Sequence, residues 1–557
     1  MSLAGSGPRF PTREPVDFVV VGSGSAGGVL ARELATNGHD VVLLEQGPWR
    51  DPSEFVHDEL DVLFHQSMTS GQPDRDPQTH RHTASEEAQV RGFPPPAFYA
   101  RTVGGSSVHY SANYWRFRPV DFDERSRLGA IEGTGFADWP ISYEELEPYY
   151  TRVDWEIGVS GAPGPADAPR SKPFPCPPMP VKSSGALLDK GARALGMTTQ
   201  NAPVAILSQP HNGRSPCIHC GFCIGFGCEV GAKSSTLVGM IPEAVASGRC
   251  EVRTESMVVR LDTDARGRVS EVVYLDRDGN EQAQRARAVV LAANGAETPR
   301  LLLASASPRF PDGLANDSGL VGKYLMYNGH SASYGLFDEP LNEYKSIQCT
   351  RLSLDYYDAD PKRGFYGGGG IDARPLLNSF PIFFALQGLP PDTPQWGAEY
   401  KRRLARYFTR NMAVLGNTTS LALESNNVTL DPKIKDIWGR PAIRATYNDH
   451  ADDMSFKAFM RDRGEDILEA AGATEIWSDP VKPETIGAHL LGTCRMGNDP
   501  ATSVVDRYHR SHQVPNLFIC DGSSFVTSGR GQPTMTIQAL AFRAADHLRA
   551  FASRNEI

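Results

Sequence analysis

Two stretches of this chain bring together residues able to do chemistry. The first is Gly22-Ser23-Gly24-Ser25-Ala26-Gly27, with Glu45 following beyond a helix-like run. In that pattern Gly22 makes a tight turn, Gly24 lets the backbone approach a pyrophosphate, and Gly27 lets a helix pack closely on a strand. Ser25 lies within the turn, and the N–H groups of the following helix are free for phosphate oxygens. A carboxylate at Glu45 accepts the adenosine ribose hydroxyls of a dinucleotide and favours an unphosphorylated ribose. The second stretch holds Cys217, Cys220, Cys223 and Cys228 at C-x2-C-x2-C-x4-C spacing. Thiolates this dense commonly share a metal, and the first three match a ferredoxin-like run. The fourth spacing is one residue longer than that pattern and no proline follows it, so a reduced or disulfide-bonded knot that stiffens a loop is the competing reading. His219 reads as a bystander in either case.

The elements that must position these residues are legible around them. Val16 to Val21 is a run of apolar, β-branched residues, as in a parallel strand buried on both faces. Gly28 to Ala35 has a helix pattern, and Val41 to Leu44 is a second strand ending on Glu45. The context is thus strand, glycine turn, helix, strand, acid. At 557 residues the chain exceeds one ordinary core, so two domains, or one elaborated by insertions, are expected. A net charge of −10 supplies no basic footprint for nucleic acid. No stretch approaches the ~20 apolar residues of a membrane span. The opening MSLAGSGPRFPTREP lacks a charged region followed by an apolar one, so no signal peptide is expected.

Between these landmarks the texture varies. Residues 50–100 read as a long polar surface excursion, with His80 and His82 solvated. Gly104 and Gly105, followed by Ser106 and Ser107, would let backbone run against a flat ring. Residues 160–216 look irregular. Glu271 to Leu275 alternates as a strand, Asp276 to Asn280 supplies a hairpin turn, and Ala288 to Ala293 is another buried strand leading to a helix over Arg300–Ser305. From 331 to 483, short alternating strands suggest an antiparallel sheet covered by helices. Phe380–Phe384 and Asn426–Leu430 read as strands there, and Ser455–Ala471 as one amphipathic helix. The remaining cysteines (Cys176, Cys250, Cys349, Cys494, Cys520) are scattered, as buried thiols are.

The opening fingerprint, the run Arg101-Thr102-Val103-Gly104-Gly105-Ser106-Ser107-Val108-His109 and the stretch Ile486-Gly487-Ala488-His489-Leu490-Leu491-Gly492-Thr493 together resemble the glucose–methanol–choline (GMC) family of flavoproteins. The likeness runs over about 16–150, 217–330 and 484–548. It implies FAD as the dinucleotide and an α/β fold: a discontinuous Rossmann-like FAD-binding domain, similar to that of p-hydroxybenzoate hydroxylase, over 14–125, 230–330 and 484–557. It also implies a lid or insertion at 126–229 carrying the cysteines, and an α+β substrate domain on an antiparallel sheet at 331–483. By the same resemblance His489 is the proton acceptor over the flavin, Val258 meets the adenine through its backbone, and Ala293 lines that pocket. Asp521 would hold the ribityl or pyrophosphate region, with Gly104, Gly105, Ser107, Asn113 and Thr534 also against the cofactor. The family usually places Asn or a second His where this chain has Gln532, which can orient an oxygen but cannot take a proton. His109 sits where some relatives bond their flavin covalently and others hold it free.

The function this implies is oxidation of a CH–OH group in a sugar, polyol or other alcohol. A hydride passes to FAD, His489 acts as base, and electrons leave to a quinone, a cytochrome or oxygen. An iron–sulfur cluster on the four cysteines and a small partner subunit are further expectations, some GMC dehydrogenase subunits carrying such a cluster. The alternatives are an oxygen-using oxidase, and a non-redox flavin-binding lyase or subunit. A cytoplasmic location is expected, with periplasmic co-export beside a signal-bearing partner left open.

Overall fold

The computed structural model describes residues 9–557. Its first sheet has a parallel core in the order Cys250–Arg253, Val41–Leu44, Val16–Val21, Glu281–Leu291, with Leu517–Ile519 pairing to the end of Glu281–Leu291. Val19, Val20, Leu43 and Val290 are fully buried, which is why these strands carry unbroken apolar runs instead of alternation. Helix Ser25–Ala35 covers one face, packed against Met240–Ala246 and the last helix, Thr534–Ser553. The first half of Glu281–Leu291 runs on into an antiparallel meander with Val269–Leu275 and Met257–Thr263. One long strand thus links the parallel core to the meander.

The second sheet is wholly antiparallel, in the order Glu475–Ser478, His330–Leu336, Asn411–Thr418, Gly369–Ala373, Arg351–Ser353, Gln200–Asn201. Helix Ala451–Ala471 lies across it and packs on Ser183–Ala194. A third sheet joins the hairpin Asn427–Lys435 and Pro441–Thr446 to Gln78–Arg81 and Gln89–Arg91. No helix among the described residues is long and apolar enough to cross a membrane.

Several local expectations need correction. Phe380–Phe384 is not a strand: Leu376–Gly388 is a succession of short helical turns. Pro381 has no N–H for a ladder but starts a helix well, and the Glu59 carboxylate accepts the N–H groups of Ile382 and Phe383. The helix placed at Arg300–Ser305 begins earlier, at Asn294, and that placed at Ser455 begins at Ala451. In the second case the His450 side chain and Asp453 form a reciprocal cap, a signal weaker in sequence than Ser or Thr. The 50–100 segment is not merely a surface excursion, because it supplies two strands to the third sheet. His80 is accordingly buried, and burial lowers its pKa to about 4.

Candidate active site

A cavity of about 960 Å³ opens at the carboxyl ends of Val16–Val21, Val41–Leu44 and Glu281–Leu291 and runs to the antiparallel sheet. In a doubly wound sheet this is where ligands sit. Gly22 has φ +94°, and a Cβ there would lie 2.5 Å from the Ala292 carbonyl oxygen. At Gly27 a Cβ would fall 1.8 Å from the Gly22 carbonyl oxygen. Both positions therefore require glycine, and they bring the turn directly under the helix. Gly24 precedes that helix without any side-chain cap, leaving its first turn of N–H donors for a ligand.

Glu45 is buried on the cavity wall, and its carboxylate is engaged within the turn. It accepts the Ser23 N–H (3.0 Å) and hydroxyl (2.6 Å) on one oxygen and the Gly47 N–H (2.9 Å) on the other. Burial raises its pKa against those hydrogen bonds. Each oxygen retains lone-pair capacity for a ribose hydroxyl. The Ser23 hydroxyl in turn accepts the Gly104 N–H at 3.0 Å, tying the fingerprint to the second glycine turn.

Gly22, Gly24, Ser25, Glu45, Gly105, Ser107, Val258, Ala293, Asp521 and Thr534 all line the cavity, together with His109, His489 and Gln532. Gly27, Gly104 and Asn113 do not. The first two shape the walls. Asn113 is buried, and neither atom of its amide has a partner among the described residues. Asp521 is occupied by protein donors: the Asn294 N–H and Thr298 hydroxyl on one oxygen, the Ser523 N–H and hydroxyl on the other. It locks the start of helix Asn294–Ala304 to the strand Leu517–Ile519.

His489 is positioned by a residue the sequence did not single out. Asn328 directs its amide nitrogen at the carbonyls of Thr418 (3.3 Å), Ser528 (3.4 Å) and Gly529 (3.2 Å). Three carbonyls can be met only by a donor, so the other amide atom, 3.2 Å from His489 Nδ1, is the oxygen. Nδ1 therefore carries the proton and Nε2 the lone pair. Burial, then the charges of Arg374 and His330, lower the His489 pKa to about 3, so the ring is neutral at ordinary pH. Asn328 is left-handed at φ 55°, a conformation Asn tolerates better than most residues, but no sequence pattern announces it.

Gln532 is held from two sides. Its amide nitrogen lies 3.4 Å from Asn417 Oδ1. The loop that carries it is anchored by Arg530, fully buried, whose guanidinium pairs with Asp121 and Glu124 of helix Val120–Leu128. Tyr357 and Tyr366 donate their hydroxyls to the same two carboxylates, at 2.6 and 2.8 Å. Leaving this buried cluster incomplete would leave an uncompensated charge, so the loop is rigid by construction.

His109 is buried beside the cavity, edge-on to Phe98 with ring centroids 5.5 Å apart. Its Nε2 has no partner among the described residues, and burial, then the Lys233 charge, lower its pKa to about 3. The imidazole is neutral and lines the cavity, with Nε2 sealed on its inner side.

The cysteine segment lies next to His109: the Gly225 N–H donates to the His109 carbonyl at 2.6 Å, and Ile224 and Gly225 line the cavity. All four thiols are free. The thiols of Cys217, Cys220, Cys223 and Cys228 lie near enough to one another for their charges to interact. Among the described residues, the mutually close metal-capable atoms belong to His57, Cys220 and Glu229. Inside the loop Lys233, buried, donates its amino group to the carbonyls of Tyr110 (3.1 Å), Phe226 (2.7 Å) and Cys223. An ammonium bonded to three carbonyls ties the inside of the loop together. Outside the loop, Phe222 stacks on His57 (4.2 Å) and Phe380 (5.5 Å), fastening it to two other segments.

Two sequence signatures described as GMC oxidoreductase match residues 16–326 and 422–541. The chain is 35% identical over 540 residues to 2-methyl-1,2-propanediol dehydrogenase of Mycolicibacterium austroafricanum, covering 96% of this chain and 95% of that protein. It is 30% identical over 549 residues to the fructose dehydrogenase large subunit of Gluconobacter japonicus, covering 95% and 97%. Among solved structures, pyridoxine 4-oxidase from Mesorbium loti superposes with a TM-score of 0.63 at 17% identity, over 96% of this chain and 99% of that one, a likeness of fold. With its glycine cradle, its carboxylate and its neutral histidine around one cavity, the chain belongs to the GMC oxidoreductase family, whose members are FAD-dependent.

Proposed function

We propose that the protein oxidises the CH–OH group of a small polyol, sugar or other alcohol, with His489 as the base that takes the hydroxyl proton. The observation that carries this is the orientation of His489, its Nδ1–H fixed by Asn328 and its Nε2 left with the lone pair on the cavity wall. Bound FAD supplies the two-electron acceptor for the hydride. Gly22, Gly24 and the first turn of Ser25–Ala35 would hold its pyrophosphate, Glu45 its ribose, and Val258 and Ala293 its adenine. Gln532 cannot share a proton, so its amide orients the substrate oxygen while His489 alone does the base work. The relatives named as dehydrogenases of a diol and of fructose support the substrate class. The test is an anaerobic panel of alcohols, polyols and sugars against the purified holoenzyme. Bleaching of the flavin by at least one is expected, and a flavin that none of them reduces would leave the lyase or non-redox reading.

Electrons then pass to a quinone or cytochrome, or to oxygen in the alternative reading, and a small partner subunit would suit the former. The spacing of Cys217, Cys220, Cys223 and Cys228 supports an iron–sulfur cluster as a second redox centre. The Lys233 anchor supports a different role, a packed wall of the flavin pocket. Iron and sulfide assays on anaerobically purified protein separate the two. A cluster gives both elements and an EPR signal that disappears in Cys220→Ser, whereas iron-free active protein leaves the wall. For location, the cytoplasm is proposed, and co-export with a signal-bearing partner is the alternative that cell fractionation would test.

His109 is the proposed attachment point of the flavin, because it lines the cavity beside the second glycine turn. Acid precipitation should leave the yellow colour in the pellet, and in His109→Ala release it to the supernatant. A colourless pellet from the wild-type protein would make His109 a packing residue.

A further inference from the structure

The substrate end of the cavity holds a charged group that the oxidation itself does not require. Arg374 follows the strand Gly369–Ala373, is buried, and lines the cavity with His489, Asn417 and Gln532. Two of its three nitrogens are spent within the protein. Nε donates to one oxygen of Asp372 at 3.0 Å, and Nη2 to the other at 2.9 Å and to Asn417 Oδ1 at 2.7 Å. Asn417 closes the ring by donating to Asp372 at 2.9 Å. The same Asn417 oxygen is the one that Gln532 approaches. Nη1 is the exception: among the described residues it has no hydrogen-bond partner, and it is not sealed from the cavity.

The other arms fix the plane of the guanidinium and leave Nη1 as the donor not committed within the protein. The charge is balanced by Asp372, which is fully buried. A carboxylate ligand would put a second negative charge close to Asp372, so the donor suits a neutral oxygen. We infer that Arg374 Nη1 binds a second hydroxyl of the substrate, beside the one that His489 deprotonates, and so selects vicinal diols and polyols over simple alcohols. This rests on the CH–OH oxidation proposed above and names its substrate class. The Arg374–Asp372–Asn417 ring presents the donor, and Gln532 links that ring to the oxygen being oxidised. The charge of Arg374 also reaches His489, whose pKa it lowers together with His330, so the group that recognises the second hydroxyl also helps keep the base unprotonated.

The test compares the second-order rate constant of anaerobic flavin reduction by 1,2-propanediol with that by 1-propanol, and by glycerol with that by 2-propanol, using holoenzyme. The wild-type protein should favour the polyhydroxylated member of each pair. Arg374→Lys keeps the charge but loses the fork, and the double variant Arg374→Met with Asp372→Asn removes both partners so that no bare carboxylate stays buried. In each, the diol-to-monoalcohol ratio should fall about 10- to 100-fold, the range expected for one charge-assisted hydrogen bond. Flavin content and melting temperature report folding, and the double variant decides if the single one is unstable. A ratio within about twofold of wild type, with rates for both alcohols lowered together, would overturn the assignment and leave Arg374 a packing group. If no alcohol bleaches the wild-type flavin, the CH–OH reading itself has failed, a result distinct from an unchanged ratio.

Discussion

His489→Ala is expected to retain FAD and fold while its rate of flavin reduction by substrate falls about 10²- to 10⁴-fold, the usual worth of a positioned base. The size follows from the geometry. Asn328 Oδ1 accepts the Nδ1–H hydrogen bond, so removal of the ring deletes a lone pair whose orientation that bond fixes. Gln532 cannot replace it, since an amide does not accept a proton at ordinary pH. The pH dependence has a defined sign. A base works when unprotonated, and the His489 pKa is lowered to about 3 by burial and by the charges of Arg374 and His330. The wild-type reduction rate should therefore be flat through the region around pH 6.5 where an ordinary histidine titrates, falling only in stronger acid. Stopped-flow reduction across pH measures both effects. An unchanged rate in His489→Ala would remove the residue from the mechanism, and an inflection near pH 6.5 would show a solvated imidazole in place of the buried one.

Gly24→Val is expected to give folded, colourless protein. Unlike Gly22 and Gly27, Gly24 has a negative φ (−62°) that any residue can adopt, and a Cβ there would come no nearer than 4.0 Å to the protein, at the Gly105 Cα. The fold therefore has no need of glycine at this position. The cavity does: Gly24 forms its wall at the start of the uncapped helix, and valine methyls would occupy the path of the pyrophosphate. Attachment through His109 does not rescue the variant, because the flavin must be seated before it can be bonded. Flavin absorbance at 450 nm together with a normal circular-dichroism spectrum is the readout. A yellow, fully loaded variant would move the pyrophosphate elsewhere. By contrast, Gly22→Val or Gly27→Val should fail to fold, since each would drive a Cβ into backbone within 2.5 Å.

Local sequence determined the dinucleotide half of this protein. A buried parallel strand must be apolar on both faces, a tight turn under a helix must be glycine, and an acid must close the second strand. Those constraints act over about thirty residues of chain, so Val16–Glu45 declares its structure and its ligand class without help from the rest. The histidine proposed as base was legible through its motif, because Ile486 and Ala488 to Leu491 lie together on the cavity wall. Where the sequence misled, distant partners had overridden local preference. Glu59 captured the N–H groups of Ile382 and Phe383 and turned a strand-like run into helical turns, while Pro441–Thr446 drew Gln78–Arg81 into a sheet and buried His80. The spacing of Cys217, Cys220, Cys223 and Cys228 names the thiols, while the contacts that hold their loop come from Lys233 within it and from His57 against Phe222, which no spacing rule includes.

What only the tertiary structure decided is the substrate side of the site. Asn328, Asp372, Arg374 and Asn417 come from strands and turns of the antiparallel sheet, while His489 lies 72 to 161 residues further along the chain and Gln532 another 43 beyond it. None of Asn328, Asp372, Arg374 and Asn417 sits in a recognisable motif. A buried polar group takes its meaning from the partner it meets, and here folding alone supplies the partner: the Asn328 oxygen that fixes the tautomer of His489, and the Asp372 carboxylate that balances Arg374 while one of its nitrogens stays free for substrate.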